Sequence, residues 1–175
     1  MNYVYVGASL DGYIAGPNGE IDWLEERSHP DDGDYGFAEF MVGIDALLMG
    51  RNSFDVVAGM DEWFYTKPVF VISNTMTEVP PSHADKVELC GGALPDVVAN
   101  LAKRGYENLY LDGGQVIQQA LRDDLIDELI VTQLPILLGK GISLFGELES
   151  PIRFDHVNTV VFKSGLVKNH YRKRS

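Results

Sequence analysis

Leu109-Tyr110-Leu111-Asp112-Gly113-Gly114-Gln115-Val116-Ile117-Gln118-Gln119-Ala120-Leu121 is the stretch whose reading decides the fold. It opens as a short apolar run, breaks at two adjacent glycines and resumes with residues that favour a helix. That order reads as a strand, a tight turn and a helix N-terminus. Such a junction gathers unpaired backbone N–H groups at one spot and adds the positive end of a helix dipole. The spot suits a phosphate, because Gly113 and Gly114 carry no Cβ to hold a ligand off the backbone. A plain Gly-Gly turn is the competing reading of this stretch taken alone.

Working outward, the same grammar recurs. Ala46 to Met49 is an apolar strand running into Gly50-Arg51-Asn52-Ser53-Phe54, with a helix expected to about Ala58. Pro68 to Ile72 closes on Ser73-Asn74-Thr75. Val87 to Cys90 precedes a helix that Pro95 opens and Gly105 ends. Tyr3 to Leu10 is nearly all apolar and reads as a central strand buried on both faces. Residues 11–23 and 136–145 read as glycine-broken loops studded with apolar side chains.

Residues 28–33 are polar and read as exposed. Asp34 to Gly43 is expected to be a short helix with Asp34 as its N-cap and Phe37, Phe40 and Met41 on one face. After Ile126 the character changes. Leu129 to Pro135, Phe154 to Phe162 and Leu166 to Arg172 read as strands, the last two joined by a tight turn at 163–165. The whole chain, 1–175, is therefore expected to be one α/β domain. Its sheet is mostly parallel with an antiparallel C-terminal edge hairpin, and helices flank it.

Composition bounds the function. The 175 residues carry a formal net charge of −12, which argues against a nucleic-acid or anionic-membrane partner. No apolar run approaches the roughly 20 residues that span a bilayer. The single Cys90 excludes an internal disulfide framework and reads as a small buried hydrophobe, so a cytoplasmic location is expected. The four histidines, His29, His83, His156 and His170, lack metal-ligand spacing. No G-x-G-x-x-G, Walker-type or G-x-S-x-G run occurs.

Parallel sheets bind ligands beyond the carboxyl ends of their strands. Those ends here carry Asp11-Gly12, Gly50-Arg51-Asn52-Ser53, Ser73-Asn74 and Gly113-Gly114. Two glycine junctions could hold a pyrophosphate between them. Arg51, with the hydroxyls of Ser53 and Ser73, could take a further phosphate. This set suits NADPH better than NADH, which would want a carboxylate at its ribose. A surface salt bridge is the alternative for Arg51.

Four motifs then appear in matching order: Ala8-Ser9-Leu10-Asp11-Gly12-Tyr13-Ile14-Ala15, Met49-Gly50-Arg51-Asn52-Ser53-Phe54, Asp112-Gly113-Gly114, and Leu137-Leu138-Gly139-Lys140-Gly141-Ile142-Ser143-Leu144-Phe145. Together they resemble the dihydrofolate reductase-like superfamily, in particular the C-terminal reductase domain of riboflavin biosynthesis (the RibD C-terminal family). The resemblance implies a three-layer, NADPH-dependent reductase fold, usually a homodimer. It places Gly50, Arg51 and Ser53 at cofactor phosphates, Ser73 and Asn74 on the adenosine side, and Gly113, Gly114, Gln115 and Val116 at the pyrophosphate. Gly7, Ala8 and Ile14 would approach the nicotinamide, with the loop Gly16 to Trp23 covering it.

Asp11 is the first candidate for substrate orientation or proton handling and Asp34 the second. Asp34 falls about where true dihydrofolate reductases carry the carboxylate that faces the pterin. Trp23, Phe37 and Phe40 are candidates for the wall of a ring pocket, or are simply core. The expected reaction is hydride transfer from NADPH to a pyrimidine-like, pterin-like or related small heterocycle. The alternatives are a true dihydrofolate reductase and a non-catalytic nucleotide-binding or dimerisation module. No deaminase domain of the kind common in the riboflavin enzyme is expected within these residues, and no clear basic pocket for a ribose phosphate is visible in the sequence.

Overall fold

The computed structural model describes residues 1–25 and 29–174. Ten strands form: β1 (Asn2–Ser9), β2 (Tyr13–Ala15), β3 (Ala46–Gly50), β4 (Val69–Ile72), β5 (Val87–Cys90), β6 (Leu109–Asp112), β7 (Glu128–Leu134), β8 (Ile142–Ser143), β9 (Phe154–Val161) and β10 (Val167–Lys173). Five α-helices accompany them: α1 (Asp22–Glu25), α2 (Phe37–Val42), α3 (Arg51–Ala58), α4 (Leu94–Lys103) and α5 (Gly114–Arg122). Eight strands make one sheet in the order β5-β4-β3-β6-β1-β7-β10-β9. The first six run parallel, and β10 and β9 close the edge antiparallel.

Period-2 alternation along the strands divides the core into two layers. Leu48, Phe70, Leu109 and Leu111 face one side, where α4 brings Leu94, Val97 and Leu101 and α5 brings Val116, Ile117, Ala120 and Leu121. Leu47, Met49, Val69, Val71 and Tyr110 face the other side, under α2 and α3, with Met41 and Phe54. This is the expected α/β sandwich with its antiparallel C-terminal edge. No helix among the described residues is long and apolar enough to cross a membrane.

Four expectations need correction. The stretch 11–23 is not simply a loop: β2 pairs antiparallel with β8 as a small second sheet, and residues 22–25 form α1. The 136–145 stretch likewise contributes β8. Each strand is only two or three residues long, so neither shows a periodic signal of its own. β1 is central but not buried on both faces. Val4 and Ala8 are enclosed, whereas Tyr3 and Tyr5 lie on the other face and are partly open, because the six-residue α2 covers little of it.

The fourth correction is at Asp34. Helix α2 starts at Phe37 with Gly36 as N-cap. The Asp34 carboxylate still caps it from two residues upstream, accepting the N–H groups of Gly36 at 2.9 Å and Ala38 at 2.7 Å. Of the 28–33 stretch, Pro30–Asp32 forms an exposed 3-10 turn, and Ser28 lies outside the described residues.

Candidate active site

The chain leaves β1 for β3, builds outward to β5, and returns to insert β6 between β3 and β1. The carboxyl ends of β3, β6 and β1 therefore lie side by side, and both glycine junctions open at one place. Gly113 has φ +92°, and a Cβ built on it would stand 2.4 Å from Ser53 Oγ and 3.8 Å from the Gly50 nitrogen. Only a glycine relieves both the backbone strain and this contact. On the other flank, a Cβ on Gly114 would meet Ile14 Cδ1 at 3.0 Å. Val116 is buried directly beneath, within ordinary contact of Gly50, and Gln115 is exposed in the first turn of α5.

Neither α3 nor α5 has a side-chain cap: Gly50 and Gly113 hold the N-cap positions and offer no oxygen. The unpaired first-turn N–H groups of two helices thus face the same rim, a chemistry suited to a pyrophosphate. Arg51 stands beside them with its side chain 52% exposed and a loose 3.4 Å ion pair to Asp55. A pair so exposed is weak and leaves the guanidinium free to take an anion. The residues present fit a phosphorylated dinucleotide.

The other cofactor candidates are dispersed around this centre. Ser73 Oγ accepts the N–H groups of Thr75 and Met76, and Asn74 Oδ1 accepts that of Gly92, so both side chains shape the carboxyl ends of β4 and β5. Ala8 turns its methyl into the α4–α5 layer, and only its backbone faces the rim. A Cβ on Gly7 would meet Leu24 Cδ2 at 2.8 Å, which brings α1 close over β1.

Of the two candidate carboxylates, neither is free. Asp11 accepts the Ser9 hydroxyl at 2.6 Å and the N–H groups of Leu138 and Gly139 at 3.1 and 2.7 Å. The Ser9 hydroxyl first, and then the two amides, hold its carboxyl below the usual range. Asp34 is lowered in the same sense by the Ala38 and Gly36 amides. Both carboxylates are hydrogen-bonded anions: Asp11 fastens the 137–141 loop to the β1–β2 turn, and Asp34 caps α2.

The group that sequence reasoning missed is Asp112. It closes β6 on the same face as Tyr110, and burial pushes its carboxyl up to about 6, partly offset by the Gly113 N–H. Its negative charge helps to raise the phenols of Tyr65 and Tyr110, although burial is the larger cause for both. An acidic residue ending an otherwise apolar strand was the available signal.

Beside Tyr110, on the same face of the sheet, lies a floor of aromatic rings. Tyr5 stacks on Phe40 at 4.7 Å and meets Phe37 edge-on at 5.6 Å, and Tyr110 lies edge-on to Phe40 at 5.3 Å. Phe64, about half exposed, extends the floor from Phe37. Trp23 is not part of it, because it is buried in a separate cluster with Leu134 and Leu166. This region thus carries a backbone cradle, a half-buried carboxylic acid and an apolar ring surface.

The fold is shared with proteins of solved structure. A protein of Shewanella sp. PV-4, assigned by name to riboflavin biosynthesis, has a solved structure 47% identical to this chain, with a TM-score of 0.95 and 99% of each chain covered. A diaminohydroxyphosphoribosylaminopyrimidine deaminase/5-amino-6-(5-phosphoribosylamino)uracil reductase of Thermotoga maritima superposes with a TM-score of 0.77 at 16% identity, over 99% of this chain and 56% of its own. A dihydrofolate reductase of Enterococcus faecalis, solved with NADP(H), shares the fold with a TM-score of 0.69 at 18% identity, over 100% and 97% of the two chains. The model of the RibD C-terminal domain matches residues 3–168, and the chain belongs to that family, with a dihydrofolate reductase-like fold.

Proposed function

We propose that this protein is an NADPH-dependent reductase that delivers a hydride to an electron-poor ring carbon of a small pyrimidine-like or pterin-like heterocycle. The observation that carries this reading is the close approach of Gly113 to Ser53. It merges two uncapped helix N-termini into one anion cradle beside a half-buried acid. Gly50, Ser53, Gly113, Gly114 and the first-turn amides of α3 and α5 would hold the pyrophosphate, and Arg51 the additional phosphate. The cofactor, when bound, supplies the hydride.

The chain's own part is positioning, exclusion of water and proton handling. Asp112, with its raised pKa, keeps a proton available near the reacting ring, whereas Asp11 and Asp34 are held as anions and serve as anchors. Leu24 over Gly7 and the β2–β8 pair beside Gly114 shield the rim from water. We take the working form to be a homodimer, a reading supported by the exposed Val157 and Val161 on the edge strand β9.

Titrating the purified protein with NADPH while following nicotinamide fluorescence tests the core of the proposal. Saturable enhancement at micromolar concentration is expected. No binding of NADPH or NADH at high micromolar concentration would leave a non-catalytic module as the better reading.

A further inference from the structure

On the sheet face that carries the aromatic floor, Lys168 of β10 reaches across β7 towards β1. Its Nζ donates to the Tyr35 carbonyl at 2.6 Å and lies 5.6 Å from the Tyr5 ring centre and 5.7 Å from that of Phe162. The Tyr5 hydroxyl donates to the same carbonyl at 2.7 Å. Tyr35 has φ +59° and Gly36 φ +85°, so two donors pin a left-handed turn at the head of α2. A Cβ on Gly36 would stand 2.8 Å from Nζ. The glycine is what admits the ammonium beneath the turn.

This cation is half-buried, yet it belongs to none of the ion pairs among the described residues. Asp34 is near enough to feel its charge, but both Asp34 oxygens accept backbone amides. An ammonium has three donors, and among the described residues one of them is engaged, by the Tyr35 carbonyl. Partial desolvation without a paired carboxylate is unfavourable, and in a chain of net charge −12 it is also unusual.

We infer that Lys168 is a specificity-determining residue whose unengaged N–H donors receive an anionic or acceptor-rich edge of the substrate ring. An imide carbonyl or a ring carboxylate fits such a donor, whereas the donor edge of a diaminopyrimidine opposes it. The inference rests on the site proposed for the reductase and names the substrate chemistry that site selects.

Orotate and 2,4-diaminopyrimidine are suitable opposed probes, measured by calorimetry without cofactor so that the result does not depend on NADPH binding. Orotate should bind the wild-type chain more tightly. Lys168→Met should weaken orotate at least tenfold, and Lys168→Arg should restore most of it, with NADPH affinity unchanged in both. A purely structural role for Lys168 would not separate the two ligands.

Because Lys168→Met could release the Tyr35 turn, a second measurement uses the unaltered protein. Orotate, but not 2,4-diaminopyrimidine, should slow acetylation of Lys168 relative to Lys140, read by mass spectrometry. Tighter binding of the diaminopyrimidine, an unchanged orotate affinity in a folded Lys168→Met chain, or no protection of Lys168 would overturn the inference. Failure of NADPH to bind would count against the reductase alone.

Discussion

The proposed cofactor half and substrate half of the site are built by different means. The cofactor half is backbone: glycines at strand ends, uncapped helix N-termini and few side chains with a job of their own. The substrate half is side chains: Asp112, the aromatic floor and Lys168, brought together from β6, β1, α2 and β10. Backbone cradles recognise a shape and charge common to many ligands, whereas side-chain floors distinguish one ring from another. A fold divided in this way can keep one cradle and change its ligand by changing side chains.

The sharpest way to break this comparison is at Asp112. If it carries the proton, Asp112→Asn should lower kcat by roughly 10²–10⁴-fold, the usual range for a lost general acid. The wild-type rate should fall as pH rises through about 6, where Asp112 loses its proton, and the variant should lack that limb. Stability follows the same sign. The folded pKa lies above the ordinary 3.8, so the folded state binds more protons between about 4 and 6. The contribution is full below the unfolded pKa and is lost as pH rises through the folded one. Asp112→Asn should therefore be more stable than wild type at pH 7, by up to about 3 kcal/mol, and the gain should shrink towards pH 4 in urea unfolding.

Next in size is the cradle. Gly113→Ala forces a Cβ onto Ser53 Oγ at a positive φ. It should destabilise the chain by about 1–3 kcal/mol and weaken NADPH at least tenfold by fluorescence titration. Unchanged NADPH affinity would separate the glycine junctions from the cofactor and undo the contrast between the halves. Arg51→Ala should lower the preference for NADPH over NADH by about tenfold, a charge-assisted contact of roughly 1.4 kcal/mol. Equal loss for both cofactors would place Arg51 at the pyrophosphate instead.

The smallest effect is expected at Asp34. Asp34→Ala removes two amide acceptors from the head of α2 and should reduce stability by about 1 kcal/mol, as loss of a helix cap does. Its effect on kcat should be smaller than that of Asp112→Asn. A kcat loss as large as that of Asp112→Asn would return Asp34 to the chemistry and make the substrate half resemble the dihydrofolate reductase arrangement.

Much of the architecture was legible along the chain because it is locally encoded. Apolar runs of four or five residues, ended by glycine at β3, β5 and β6 and by Ser73-Asn74 at β4, located these strands to within a residue or two, and the helix after each of the two glycine junctions was placed correctly. Where elements were too short to show a period, as in β2, β8 and α1, only the fold reveals them. Asp34 shows the limit in another way. Its capping role was expected, but the helix begins two residues later because Gly36 adopts the left-handed conformation first.

The sequence by itself determined the alternation of strands and helices and the two glycine junctions that leave helix N-termini uncapped at the rim, because strand, turn and helix signals act over a few residues. What each polar side chain does there was decided by tertiary structure. Asp11 looked like an acid for the substrate until the fold set it against Leu138 and Gly139, well over a hundred residues away. The burial of Asp112 beside Tyr65 and Tyr110, and the placing of Lys168 against Tyr35 and Tyr5, likewise come from the fold alone. The charge state and partners of a side chain depend on burial and on neighbours that only the folded chain brings together.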